Sequence, residues 1–223
     1  MELLLIAIVL GLALVTIVLA VLAYWGGKGF QAQPDTRKPN PWPRVSVLVP
    51  VAGTHAHLEA CLRGILAQDY VAYADFEVLF VTADEDDPAV PYLRALIAAS
   101  AVPCRLIHAG QAKHCGQKNA NLLAGVAAAD QESAVFVFCD SGHKARPDWL
   151  RTLVRPVALG ETRATTAYHH LMKLTNCGAR LQSYTVQFLY LLHEIPLFTQ
   201  PWGGNTAIAR SLFDELEVTE TWG

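Results

Sequence analysis

No G-x-G-x-x-G follows the first apolar run of this chain, and no G-x-x-x-x-G-K-[ST] occurs in it. Neither a dinucleotide oxidoreductase nor a P-loop phosphotransferase is therefore supported. Basic residues are not in excess: 17 Lys and Arg stand against 20 Asp and Glu, for a formal net charge of -3. That balance leaves no electrostatic footprint for nucleic acid. The five cysteines (Cys61, Cys104, Cys115, Cys139, Cys177) are odd in number and contain no C-x-x-C, so free buried thiols are the expectation. No repeat or low-complexity tract is visible.

Charge is also missing from one long stretch. Leu3 to Trp25 is apolar and uncharged, about 23 residues and long enough to span a bilayer. A cleaved signal peptide would want a basic start and a shorter apolar core, and this start carries only Glu2. We therefore expect one uncleaved N-terminal transmembrane helix over 1–25. Lys28, Arg37, Lys38 and Arg44 follow it against a single Asp35, which places that side, and the rest of the chain, in the cytoplasm. Residues 26–43, rich in glycine and proline, read as a linker. The remainder, 44–223, is enough for one domain.

That remainder alternates. "RVSVLVPV", "FEVLFVTA", "CRLIHAG" and "AVFVFC" read as strands, with "ETRATTAYHH" and "GGNTAIAR" as further, shorter ones. Between them "HLEACLRGILAQ", with Thr54 as N-cap, "AVPYLRALIAAS", "GQKNANLLAGVAAA" and a segment opened by Pro147 carry apolar residues at helical spacing. "GARLQSYTVQFLYLLHEI" reads as a long apolar helix ending near Pro196. Alternating βαβα means an α/β fold with a parallel sheet.

Two strands end on acid. "AVFVFC" has no polar face, as suits a central strand covered on both sides, yet it runs into Asp140. "FEVLFVTA" runs into Asp84, Glu85, Asp86 and Asp87. We read these as neighbouring strands delivering carboxylates to the carboxyl edge of the sheet, where open α/β sheets bind ligands. Like charges held together repel, and a cation relieves that. Oxygen-only ligands suit Mg²⁺ or Mn²⁺ held by one or two carboxylates and substrate phosphates, which points to a nucleoside-diphosphate substrate.

"VSVLVPVAG", "ADEDDPA", "GQKNANLL", "CDSGHKARPDWL" and "PWGGNTAIAR" occur in the order seen in family-2 glycosyltransferases, and the chain more closely resembles the ceramide glucosyltransferase branch with its bacterial hopanoid-type relatives. The resemblance covers nearly all of 44–223 and includes the anchor. It implies a GT-A-like, mostly parallel sheet with helices on both faces. It also implies a nucleotide-sugar donor such as a UDP-sugar, a divalent metal, inversion, and a lipid acceptor at the cytoplasmic membrane face. In that resemblance Pro50 and Val51 lie beside the nucleotide base, Asp84 contacts the nucleotide with Asp86 as its neighbour, and Lys118 and Asn121 approach the diphosphate. Asp140 binds the metal, with Ser141 next to it, and Trp202, Gly203, Gly204 and Asn205 form the loop over donor sugar and acceptor.

Two departures stand out. Where many relatives read D-x-D, this chain reads Asp140-Ser141-Gly142, leaving one carboxylate. The family's general base is expected a short distance after a tryptophan such as Trp222, with a Q-x-x-R-W motif later, so no catalytic base is assigned within 1–223 and the chain reads as truncated at its C-terminus. A chain without that base would lose roughly 10²–10⁴-fold in rate. A non-catalytic nucleotide-sugar-binding or scaffold module is thus the rival reading. A sugar nucleotidyltransferase would want a Gly-rich, Arg-containing loop after the first strand, and "VPVAGTHAHLE" lacks it.

Overall fold

The computed structural model describes residues 37–167, 176–193, 200–201 and 203–222, together with positions 6, 9–11, 13–15, 17–18 and 21; at 187–193 the backbone alone is described. The chain divides into two compact units: Met1–Arg37 with His169–Gln200, and Lys38–Tyr168 with Pro201–Gly223.

The second unit is built on strands that have no polar face. In β1 (Val45–Pro50), Val45, Val47 and Val49 face one side of the sheet and Leu48 the other, and all four are fully buried. Every residue of β2 (Phe76–Thr82) and of β4 (Val135–Cys139) is buried too. Because pleating sends alternate side chains to opposite faces, such strands must be covered twice. In chain order β1 is followed by α1 (Leu58–Leu66), β2, α2 (Val90–Ala98), β3 (Cys104–His108), α3 (Gln117–Ala128), β4 and α4 (Trp149–Ala158). After β5 (Ala164–Thr166) come α5 (Cys177–His193), β6 (Asn205–Ala209), α6 (Arg210–Glu215) and α7 (Val218–Trp222). Helices α1, α2 and α4 cover the face that carries Val47, Phe80 and Val137. Helices α3, α6 and α7 cover the face that carries Leu48, Leu79 and Phe136. Phe213 of α6 is edge-on to Phe136 at 5.5 Å and to Trp222 at 6.4 Å. Burying one such side chain is worth about 1.5–3 kcal/mol.

The strand order is β3-β2-β1-β4-β6-β5. β3, β2, β1 and β4 are parallel, and β6 runs antiparallel to both β4 and β5. The sheet is therefore mixed but mostly parallel. The chain steps outward from β1 to β2 and β3, then returns to lay β4 on the other side of β1. This reversal makes β1/β4 the switch point, and the crevice beyond their carboxyl ends is the place such sheets bind ligands. β1 lies between β2 and β4, so the two acid-ending strands are not neighbours as the sequence implied; their ends flank that of β1.

Other boundaries differ from the sequence reading. Thr54 does not cap α1: the helix starts at Leu58 after His57, whose side chain makes no cap bond. The preceding loop is set instead by Gly53 at φ 62° and by its amide, which donates to the Asp87 carboxylate at 3.0 and 3.1 Å. Pro147 precedes α4, which begins at Trp149. The strand expected over "ETRATTAYHH" is only Ala164–Thr166, with 168–170 outside the described residues.

In the first unit, most of the apolar segment Leu3–Trp25, the linker up to residue 36 and the region around Pro196 lie outside the described residues. Among the described residues no helix is long and apolar enough to cross a membrane. On α5, Ala179, Ser183 and Val186 form a covered stripe, while Leu181 and Tyr184 are exposed.

Candidate active site

Asp140 is the first residue beyond β4. Its amide donates to the Gly204 carbonyl at 3.1 Å, and its own carbonyl accepts from the His143 amide at 3.0 Å, so the chain turns sharply here. The Asp140 side chain accepts from Lys118 Nζ at 2.5 Å, and the two side chains are 43% and 49% exposed respectively. Lys118 stands on the first turn of α3. A Cβ placed at Gly204 would collide with the Asp140 carboxylate, so in this arrangement of the carboxylate the residue opposite is glycine, and any larger residue would have to push the carboxylate aside.

The loop from Asp140 to Trp149 is fixed by Gln68, which the sequence reading did not single out, and by Cys61 and Asn205 in roles it did not give them. Gln68, buried just beyond α1, donates from Nε2 to the carbonyls of Gly64 and Arg146 at 2.7 and 2.9 Å, and accepts the Leu150 amide at 2.9 Å. The Cys61 thiol donates to the Gly142 carbonyl at 3.4 Å. Burial pushes the Cys61 and Cys139 thiols above their ordinary pKa. Trp149 Nε1 donates to Asn205 Oδ1 at 2.7 Å, with both residues buried. Nothing in a lone amide after an amphipathic helix marks Gln68 as the tie of a distant loop; that is a tertiary fact.

The acids after β2 separate into distinct roles. Asp84 accepts from the Asp86 amide at 3.1 Å and from Gln111 Nε2 at 2.9 Å, and keeps some exposure. The Thr82 hydroxyl donates to the Asp84 carbonyl at 2.9 Å and lies 2.8 Å from His108 Nδ1; with its one proton so used, the hydroxyl accepts from an Nδ1–H histidine. Asp86 is exposed. Asp87 is a structural tie between two loops, taking the amides of Gly53 and Ala89. Glu85 is paired with Arg94 at 2.5 Å, and that guanidinium holds its carboxyl below the ordinary range.

The remaining sequence candidates fall as follows. Pro50 is half-buried at the end of β1, while Val51 is in the core and donates its amide to the Val81 carbonyl at 2.8 Å. Asn121 is buried; it donates to the Val81 carbonyl at 3.2 Å and accepts from Gln117 at 2.8 Å, so it pins α3 to β2 beneath Lys118. Ser141 is half-buried beside Asp140, and Gly203 is exposed. Asn205 faces inward to Trp149. Trp202 lies outside the described residues. The structure thus joins Asp140, Lys118 and Gly204 in one contact, with Ser141 and Gly203 next in the chain, and turns Val51, Asn121 and Asn205 toward the fold.

The model of the family described as Glycosyl transferase family 21 matches residues 4–187. The chain belongs to that family. The sequence motifs pointed to family 2, and a glycosyltransferase is what the two readings share. Solved structures agree with the fold. A mannosyltransferase from Pyrobaculum calidifontis, in complex with GDP-Man and Mn²⁺, is similar at 20% identity and a TM-score of 0.60, over 95% of this chain and 58% of that one. Glucosyl-3-phosphoglycerate synthase from Mycobacterium tuberculosis, in complex with Mn²⁺, UDP-Glc and phosphoglyceric acid, is similar at 17% identity and a TM-score of 0.53, over 82% of this chain and 64% of that one. S. aureus TarS, residues 1–349, is similar at 12% identity and a TM-score of 0.51, over 78% of this chain and 49% of that one. This family-21 chain spans less than two thirds of the length of each.

A divalent metal fits the donor set of this family-21 site in one way only. Among the described residues no three His, Cys, Asp or Glu side chains gather to hold an ion by themselves. Asp140 offers one half-exposed carboxylate at the switch point, with an ammonium beside it that suits phosphate. If a Mg²⁺ or Mn²⁺ is held here, Asp140 would be the protein's share of a site completed by substrate phosphates and water.

Proposed function

We propose that the protein transfers a hexose from a nucleoside-diphosphate sugar, a UDP-sugar, to a lipid acceptor, with inversion, at the cytoplasmic face of a membrane. The observation that carries the donor half is the Asp140–Lys118 pair beyond the β1/β4 switch point, in a chain of a glycosyltransferase family. Structures of this fold solved with GDP-Man or UDP-Glc and Mn²⁺ support it. Asp84, partly exposed past β2, is placed for the nucleoside. Lys118, on the first turn of α3, takes diphosphate charge where helix amides also favour an anion. Asp140 holds the metal, which when bound neutralises charge on the leaving diphosphate. Exposed Gly203 lets the backbone approach the sugar closely, while buried Gly204 makes room for the Asp140 carboxylate.

The acceptor half rests on where apolar surface is left uncovered. Among the described residues, all but three of the exposed large hydrophobic side chains (Val71, Tyr73 and Leu216) belong to the first unit. A concentration of exposed large apolar side chains is what a membrane or protein partner would cover, and the uncharged Leu3–Trp25 segment argues for a bilayer. That placement supports the reading of a lipid acceptor.

Calorimetry of the full chain with UDP-sugar and Mn²⁺ tests the donor reading. Asp140→Asn is expected to abolish Mn²⁺-dependent binding with the fold intact. Asp148→Asn, at the N-terminal end of α4 and paired with Arg146 on the surface, leaves binding unchanged. Equal loss in both variants would show Asp140 to be structural and the site misplaced.

A further inference from the structure

We propose that Lys118 is the resident counter-ion of Asp140 while no donor is bound. It keeps the metal carboxylate closed to free divalent cation, and it releases the carboxylate when a diphosphate arrives to take the ammonium. This rests on the donor-site reading above and adds an order of assembly to it: metal and nucleotide enter together.

Three features of the site lead here. The Lys118 ammonium already occupies Asp140 Oδ1 at 2.5 Å. The carboxylate is backed on one side against Gly204, where not even a Cβ would fit, and its backbone is tied to the Gly204 carbonyl, so that side offers no room for an ion. The other acids at this edge give a free cation no better place. Asp84 is engaged by Gln111 and the Asp86 amide, Asp87 by the Gly53 and Ala89 amides, and Glu85 by Arg94.

A divalent ion on Asp140 would lie within a few ångströms of the lysine charge, closer than the distance over which salt and solvent screen it, so the ammonium weakens metal binding even at this half-exposed edge. A diphosphate reverses the balance, because its oxygens both accept from Lys118 and complete the metal's shell. The flexible four-carbon stem of lysine lets the ammonium swing between carboxylate and phosphate without moving α3. Lys118 thus opposes the metal in the empty site and favours it in the loaded one. Metal and nucleotide affinities are then coupled, each raising the other by the same factor.

The experiment measures Mn²⁺ binding to the full chain by electron paramagnetic resonance of the free ion, first alone and then with saturating UDP. For wild type we expect weak Mn²⁺ binding alone and much tighter binding with UDP. Lys118→Met should bind Mn²⁺ alone about tenfold more tightly or better, and the gain from UDP should shrink accordingly. A variant that is merely damaged would not gain affinity. Lys118→Arg, which keeps the charge, should leave Mn²⁺ alone as weak as in wild type. If Lys118→Met does not tighten Mn²⁺, or if Met and Arg tighten it alike, while wild type still binds UDP with Mn²⁺, the counter-ion role is overturned and the donor site stands. If folded wild type binds no UDP with Mn²⁺, the donor-site reading falls and this proposal with it.

Discussion

A single hydrogen atom decides the environment of Asp140. With glycine at 204, the Asp140 carboxylate can lie against backbone and still reach Lys118; a side chain at 204 would have to displace it. Gly204→Ala should therefore displace the carboxylate and weaken Mn²⁺-dependent donor binding at least tenfold by calorimetry, at a stability cost of about 1–3 kcal/mol. Trp149 works at the same scale. Its indole N–H is the partner shown for buried Asn205 Oδ1 at 2.7 Å. Trp149→Phe leaves that oxygen in the core with no donor, and chemical denaturation should show a loss of about 1–3 kcal/mol. The thiols divide by exposure: Cys177 is exposed, and Cys61 and Cys139 are buried. Alkylation of native protein should mark Cys177 quickly, with Cys61 and Cys139 reacting only on unfolding.

Helix α3 shows how an element carries a functional side chain. Gly125 lets it press onto the sheet, since a Cβ there would come within 3.1 Å of Leu48 and 3.2 Å of Val81. One turn beyond Lys118, Asn121 ties the helix to the Val81 carbonyl at the end of β2. Gln117 bonds Asn121 and also the Gly110 carbonyl and Ala112 amide, fixing the loop that enters the helix. The first turn is thus held by side-chain amides, and Lys118 inherits its place from them. Asn121→Ala removes the tie without touching the lysine. It should cost about 1 kcal/mol in stability, because the Asn121 bonds are lost while the Val81 carbonyl keeps the Val51 amide and Gln117 keeps the Gly110 carbonyl. Donor affinity should fall as well, less than in Lys118→Met. Full donor affinity in a destabilised Asn121→Ala protein would show that α3 is positioned by packing alone.

For the molecule as a whole, titration follows from burial. Desolvation raises the pKa of Cys61, Cys104, Cys139, Tyr70 and Tyr92. The unfolded chain loses these protons from about pH 8.5 for thiols and about pH 10 for tyrosines, while the folded chain keeps them. The folded state then binds more protons than the unfolded one, so stability is full below that range and falls as pH rises through it. Denaturation midpoints taken from neutral to alkaline pH should be level and then decline, and Cys139→Ala should make the decline shallower. The proposed orientation in a membrane is tested on sealed vesicles. Protease added from the cytoplasmic side should digest the second unit, and protection there would reverse the topology.

The sequence by itself determined the layering and the edge that matters. Strands such as "AVFVFC", with no polar face, can exist only between two layers of helix, and a chain of that kind that runs into Asp140 presents the acid at the carboxyl edge. Local pattern suffices for this because burial demand is written in every residue of the strand. Pairing across long separations is not written locally. Only the tertiary structure put β1 between the two acid-ending strands and laid β6 antiparallel beside β4, since register depends on how distant faces fit. Packing alone also turned Asn121 and Asn205 inward, gave Gln68 its loop to hold, and pressed Gly204 against Asp140. A polar residue in a motif has the same letter whether it faces a ligand or a neighbouring strand. The difference is made by which backbone groups the fold leaves without partners, and those exist only once the chain has folded.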